Sequence, residues 1–223
     1  MLHYYLIVPS WFKGIDQAVD LISLLTCLGI FLYSLKAYQV TKYRKYLVFS
    51  LAFLLIALSF IVKTADILGF SPMIKETVKQ VSFVVSMNRT VNLHFLLVQI
   101  QRFFILLAFM ALFCLSRKIE SKEAILLYTV FIFIISFFTN SYFLFHFLTS
   151  IVTFLIVLHY YNNHKKIKTR NSLFSYFAFI AIFLSQIMNM FILYFVYSYV
   201  IAEFLQLIGF LFLLYTLISV RRK

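Results

Sequence analysis

The sequence predicts an all-α polytopic membrane protein: a bundle of seven transmembrane helices, N-terminus outside and C-terminus cytoplasmic. Three observations carry this. Of 223 residues, 64% are hydrophobic and only 12% charged, with a mean hydropathy of +0.98. A water-soluble fold of this size could not hide that much apolar surface. Second, the apolar runs have lengths that suit a hydrocarbon core about 30 Å thick, which about 20 helical residues cross. Third, the basic residues gather in alternate gaps between runs, as expected of loops retained in the cytoplasm. Together these exclude a soluble enzyme, a disordered chain and a secreted disulfide scaffold. A single transmembrane helical domain is expected over residues 1–223.

The elements follow in order. Met1 to Trp11 has no basic n-region or small-residue cleavage site, and Pro9 interrupts it, so it reads as an interfacial segment and not a cleaved signal peptide. Tyr4, Tyr5 and Trp11 suit the headgroup level. The spans are expected at 16–40, 46–70, 90–116, 123–138, 142–161, 173–197 and 199–220. The fourth and fifth are parted only by Thr139, Asn140 and Ser141, and the sixth and seventh only near Ser198. Merging either pair would give a helix far longer than the bilayer, so both read as tight hairpins, with six spans as the other count. Ser71 to Met87 begins Ser-Pro, a helix-start signal, and spaces Ile74, Val78, Val81 and Val85 along one face. An amphipathic outer segment is expected over 71–87, with a solvated loop as the alternative. Asn88-Arg89-Thr90 matches a glycosylation sequon on the expected outer side. No internal repeat is expected.

Orientation comes from charge. There are 20 Lys and Arg against 7 Asp and Glu. Lys36, Lys42, Arg44 and Lys45 fill the first gap and its margins, Arg117, Lys118 and Lys122 the third, and Lys165, Lys166, Lys168 and Arg170 the fifth. Arg221, Arg222 and Lys223 end the chain. All four clusters fall on one side of an odd span count, which places that side in the cytoplasm of a multi-pass cell-membrane protein. Topology accounts for the basic excess, so no nucleic-acid partner is expected. Cys27 and Cys114 lie inside apolar runs and are expected to be buried and inert.

Polar residues within spans are costly and mark function or packing. Asn88, Asn92, Gln99 and Arg102 share one face of the third span. Arg102 lies roughly 18 Å from its outer end at 1.5 Å per residue and needs a partner or a wet cavity. Glu203 in the seventh span is the expected partner, with Gln206 on the same face. Gln186 and Asn189 share a face of the sixth. Asp16, Asp20, Ser23 and Cys27 share a face of the first. Ser59, Lys63 and Asp66 do so in the second, where Lys63 and Asp66 can pair locally. The stripes concentrate in the outer half, over a more uniformly apolar inner half. Three uses fit them: a hydrogen-bond network that fixes packing, an outward-facing ligand pocket, or a proton or ion path. His94 and His146 share a depth that axial haem ligation would need, but no companion ligand accompanies them, so no cofactor is expected. No HExxH, GxSxG, P-loop or paired-carboxylate motif occurs, and the last span lacks a Schiff-base lysine.

The stretch beginning Tyr33-Ser-Leu-Lys and running on through Ala37, Tyr38, Thr41 and Arg44 resembles the first cytoplasmic turn of small prokaryotic seven-helix integral membrane proteins of uncharacterised activity. That resemblance implies a fold and carries no activity.

The function expected is a non-enzymatic sensor or receptor-like module. Asn92, Gln99, Arg102, Gln186, Asn189, Glu203 and Gln206 would bind a small polar or anionic ligand, and the basic cytoplasmic loops would contact a partner protein. A transporter or ion-conducting subunit, and a structural subunit of a membrane complex, are the alternatives.

Overall fold

The computed structural model describes residues 9, 11–12, 14–77, 83–117, 121, 128–130, 142–192, 194–195 and 197–221, the side chains of 66–77, 83–94 and 220–221 excepted. Among the described residues there is no strand. Six helices are long and apolar enough to cross a membrane, so the chain is a multi-pass helical membrane protein. They are α1 (Ile15–Thr41), α2 (Arg44–Thr77), α3 (Phe83–Arg117), α4 (Tyr142–Ile167), α5 (Arg170–Met190) and α6 (Tyr197–Arg221). Residues 128–130 are also helical. The rest of the expected fourth span, 123–138, lies outside the described residues.

Boundaries differ from expectation where hydropathy is silent. The α2 helix runs on through Ser71 and Pro72 to Thr77, so Ser-Pro does not open a new segment. Proline lacks one donor but holds φ at a helical value, and a helix can continue through it. Residues 78–82 of the expected amphipathic segment lie outside the described ones. The sixth expected span breaks early: α5 stops at Met190, and the Phe191 N–H turns back to Met188 O at 3.1 Å. The residues that follow are as apolar as a span, so composition alone places the break too late.

Local chemistry sets the ends. Gly14 takes φ +100°, and Asp16 Oδ1 accepts the N–H groups of Gly14 and Gln17, both at 2.8 Å. That acid also complements the N-terminal dipole. The links α1–α2 and α4–α5 are built alike. Lys42 and Lys168 each adopt a left-handed conformation, φ 55° and 51°, and their N–H groups cap Tyr38 O and His164 O at 2.7 and 2.8 Å. This closes orphan carbonyls at a helix C-terminus.

The helices pack as a ring in chain order, closed by α1 against α6. Short links make α1/α2, α2/α3, α4/α5 and α5/α6 antiparallel. The other two seams are parallel. Arg102 lies over the Phe145 ring at 5.3 Å, and one helix end further on Arg117 is near enough for its charge to act on His159. Hence α3 and α4 run in the same sense. Likewise Asp20 and Glu203 meet at one level while Gly29 faces Leu214 at another, so α1 and α6 are parallel.

A ring with these senses maps onto itself when α1, α2, α3 are exchanged with α4, α5, α6. The side chains respect this exchange. Lys42-Tyr43-Arg44 falls on Lys168-Thr169-Arg170. The buried Ile30, Ala52, Phe53, Ile56 and Ser59 fall on the buried Ile156, Ala178, Phe179, Ile182 and Ser185. With the helix ends Arg117 and Arg221 matched, Gln99, Leu106, Phe109 and Leu112 fall on Glu203, Phe210, Leu213 and Thr216, again all buried. The chain thus contains two three-helix repeats. Parallel repeats of this kind are a known membrane-protein architecture. They escaped the sequence reading because lipid and core packing constrain size and apolarity more than identity.

Next to the polar groups of one half, one apolar layer spans all six helices. It holds Cys27 and Ile30, Phe53 and Ile56, Phe109, Ile156, Phe179 and Phe210. The helices approach closely at α5/α6, where a Cβ added to Gly209 would lie 2.6 Å from Ile182 Cγ1 and 2.9 Å from Ala178 O. One added to Gly29 would meet Leu214 at an ordinary 3.5 Å. Gly209→Ala should therefore destabilise the bundle by about 1–3 kcal/mol through overpacking, while Gly29→Ala stays within about 0.5 kcal/mol of wild type. Thermal unfolding of both variants in detergent micelles checks this, and equal midpoints would refute the close crossing.

Candidate functional site

The polar groups of the half opposite the basic end form two neighbouring clusters. In the first, Lys63 on α2 is the hub. Its Nζ donates to Asp20 Oδ1 on α1 at 2.8 Å and to Glu203 Oε1 on α6 at 2.7 Å. All three groups are buried, Asp20 to 1% exposure. The Tyr199 ring lies 5.7 Å from the same ammonium and shields it. Burying charge in a bilayer is tolerable only with such partners. Asp20 Oδ2 has no hydrogen-bond partner.

This corrects the expected pairings. Glu203 shares a hydrogen bond with Lys63, not the expected Arg102. The helix order explains it: α6 packs on α1 and α5, whereas α3 packs on α2 and α4. Depth alone had matched Arg102 to Glu203. The Asp66 side chain, the other expected partner of Lys63, lies outside the described ones.

The second cluster sits on α3, α4 and α5. His146 Nδ1–H donates to Gln186 Oε1 at 2.9 Å, and the Tyr142 hydroxyl donates to Asn189 Oδ1 at 3.3 Å. The Tyr142 ring packs on His146, centroids 4.3 Å apart. Arg102, half-buried, stands over Phe145. The charges of Arg102 and Lys63 both reach His146, so the clusters share one electrostatic environment. Gln99 is 1% exposed, and its Oε1 has no hydrogen-bond partner. A buried acceptor left unpaired costs about 1–3 kcal/mol, which a ligand donor could recover.

Of the seven residues expected in a pocket, Gln99, Arg102, Gln186 and Asn189 fall in the second cluster and Glu203 in the first. Gln206 is half-buried on α6. The Asn92 and His94 side chains lie outside the described ones. Sequence reasoning missed Lys63 as a hub and Tyr142 as a donor. Lys63 carried a signal in being the lysine deepest within the second apolar run. Among the described residues, no group of three or more His, Cys, Asp or Glu side chains is placed to hold a metal ion.

The repeats relate the clusters. Asp20, Lys63 and Glu203 occupy the positions that His146, Asn189 and Gln99 take in the other half. One half is built on the Lys63 ion pairs, with Asp20 Oδ2 left over; its counterpart is built on amides and His146 beside Arg102, with Gln99 Oε1 left over. No protein-family model matches the chain, and comparison with curated proteins and with solved structures returns no match.

Removing the hub leaves two buried carboxylates without a cation. Lys63→Met should therefore cost about 3–5 kcal/mol, whereas Asn189→Leu at the equivalent position costs under about 1 kcal/mol. Adding Asp20→Asn and Glu203→Gln to Lys63→Met should restore most of the loss. Denaturant unfolding in mixed micelles measures all of these, and a triple variant no better than the single one would contradict the ionic origin.

Proposed function

We propose that the chain is a receptor-like module of the cell membrane that binds a small polar or anionic ligand in the cluster between α3, α4 and α5. The observation that carries this reading is Gln99 Oε1, 1% exposed and, among the described residues, without a hydrogen-bond partner, in the cluster that also holds Arg102. In the other cluster the leftover acceptor, Asp20 Oδ2, belongs to a carboxylate already paired with Lys63, and that triad clasps α1, α2 and α6. Arg102 supplies positive charge, and Gln186 and Asn189 supply directional groups. The ligand suited to this set has an N–H or O–H donor for Gln99 and an anionic or electron-rich group toward Arg102. The apolar layer below supports a sealed binding site over a continuous path. In this reading a partner protein engages the basic end.

The proposal includes seven spans with the N-terminus outside. Because α3 and α4 are parallel, residues 118–141 must bring the chain back from one end of the bundle to the other. The expected span 123–138 is apolar enough to do this as a helix. The cations Lys42, Arg44, Lys45, Arg117, Lys165, Lys166, Lys168 and Arg170 share one end, which the positive-inside rule assigns to the cytoplasm. Topology reporters fused after residues 120 and 140 should report opposite sides, cytoplasmic and outside. The same side for both would leave six spans.

A carrier is the second reading, and the internal repeat favours it. Halves related by parallel repeats can rock against each other around a site at their interface. Flux of the bound molecule across sealed vesicles separates the two.

Native mass spectrometry of protein released from its own membrane in mild detergent tests ligand binding. The wild type should carry a reproducible small-molecule mass, and Gln99→Leu and Arg102→Ala should lose it while unfolding as wild type does. A bare wild type, or variants that keep the mass, would remove the reading.

A further inference from the structure

The basic end of the bundle holds a second site, separate from the polar layer. A cavity of about 220 Å³ opens there between α2, α3, α4, α5 and α6. Phe49, Leu115, Leu213 and Leu217 give it apolar walls, and Lys45 and Tyr160 add polar groups. Ser175 and Thr216 also border it, but their hydroxyl protons are already donated to Asn171 O and Phe212 O at 3.1 and 2.8 Å. They present lone pairs only. The Tyr160 ring is fixed by stacking on Phe179, centroids 4.5 Å apart, and among the described residues its hydroxyl makes no hydrogen bond. It adds a hydroxyl donor to those of Lys45 and Tyr46, which also line the cavity.

Lys45 on α2 borders the mouth, and the same end of the bundle carries Lys42, Arg44, Arg117, Lys165, Lys166, Lys168 and Arg170. The described acidic side chains Asp16, Asp20 and Glu203 stand at the opposite end, so no described carboxylate neutralises Lys45. A lysine at the rim, a hydroxyl inside and apolar walls between them suit one chemistry, a negative headgroup joined to a short hydrocarbon part. The volume is below the roughly 300–1,000 Å³ of drug-sized pockets, so the apolar part is short or only the end of a longer chain enters.

We propose that this cavity binds an anionic amphiphile, its phosphate or carboxylate held by Lys45 at the mouth and its apolar part between Phe49, Leu115, Leu213 and Leu217. Such a ligand would reach the site from the water or from the facing leaflet. The site is independent of the ligand proposed for the α3–α5 cluster.

The test uses the full chain in nanodiscs of phosphatidylcholine, titrated with octyl phosphate and read by native mass spectrometry. One saturable octyl phosphate per chain is expected, with octanol binding at least about tenfold more weakly, as loss of a charge-assisted contact predicts. Lys45→Gln should weaken octyl phosphate about tenfold, and Ser175→Leu, which fills the cavity, should abolish saturation. Lys45 is exposed, so its variant reports even if Ser175→Leu fails to fold. Nanodiscs containing phosphatidylglycerol and no octyl phosphate identify the source. A retained lipid adduct lost in the same variants means a bilayer lipid. No lipid adduct, with octyl phosphate still binding, means a water-borne amphiphile. Octanol binding as tightly as octyl phosphate, unsaturable binding, or a Lys45→Gln variant that binds as wild type overturns the proposal.

Discussion

A single ammonium group decides how this bundle closes. Lys63 reaches two carboxylates, one on the first described helix and one on the last, and so joins α1, α2 and α6 at one point. In water such a triad would contribute little, because solvent competes for each charge. Inside a bilayer each partner is costly alone, so the three must be buried together or not at all. That requirement fixes the register of three helices and with it the parallel seam that completes the ring. Apolar packing is less directional and could not fix it alone, since lipid tails compete for the same surfaces.

The remaining architecture follows from where the polarity is spent. Polar side chains from all six described helices meet in the half opposite the basic end, and next to them the same helices contribute an apolar layer. Hydroxyls in the interior are mostly bonded to their own helix, as Ser59 to Ile56 O at 2.6 Å and Thr149 to Phe145 O at 2.8 Å. Such groups add no net demand for partners and pack like small apolar residues. The groups that do demand partners are the charged ones, the amides and His146. Their confinement to one depth is what separates a site from a scaffold.

How much of this was legible in the sequence depended on period and range. Apolar runs located the helices because span length is a property of one segment. Which residues share a helical face was legible too, as with Gln99 and Arg102 on one helix and Gln186 and Asn189 on another. Pairing was not. Lys63 meets Asp20 across 43 residues and Glu203 across 140, and a helical wheel says which residues share a face but not which helix that face opposes. The repeat was hidden for a related reason. Ala52-Phe53 against Ala178-Phe179 is a short match, and positions such as Lys63 and Asn189 share burial and depth but not chemistry.

The difference between the halves has a mechanical consequence. Two parallel seams hold the repeats together. The α1/α6 seam is clasped through Lys63, so opening it would expose two carboxylates to hydrocarbon. At the α3/α4 seam the described contacts include the Arg102 guanidinium over Phe145 and the apolar cluster of Leu106 with Phe145. This seam lies beside Gln99 and His146. Both helices of this seam run on without a break to the basic end, α3 to Arg117 and α4 to Ile167. Each helix therefore joins the cluster of Gln99, Arg102 and His146 to the basic end as one continuous element. In the proposed reading this is the route by which binding at that cluster is felt at the other end.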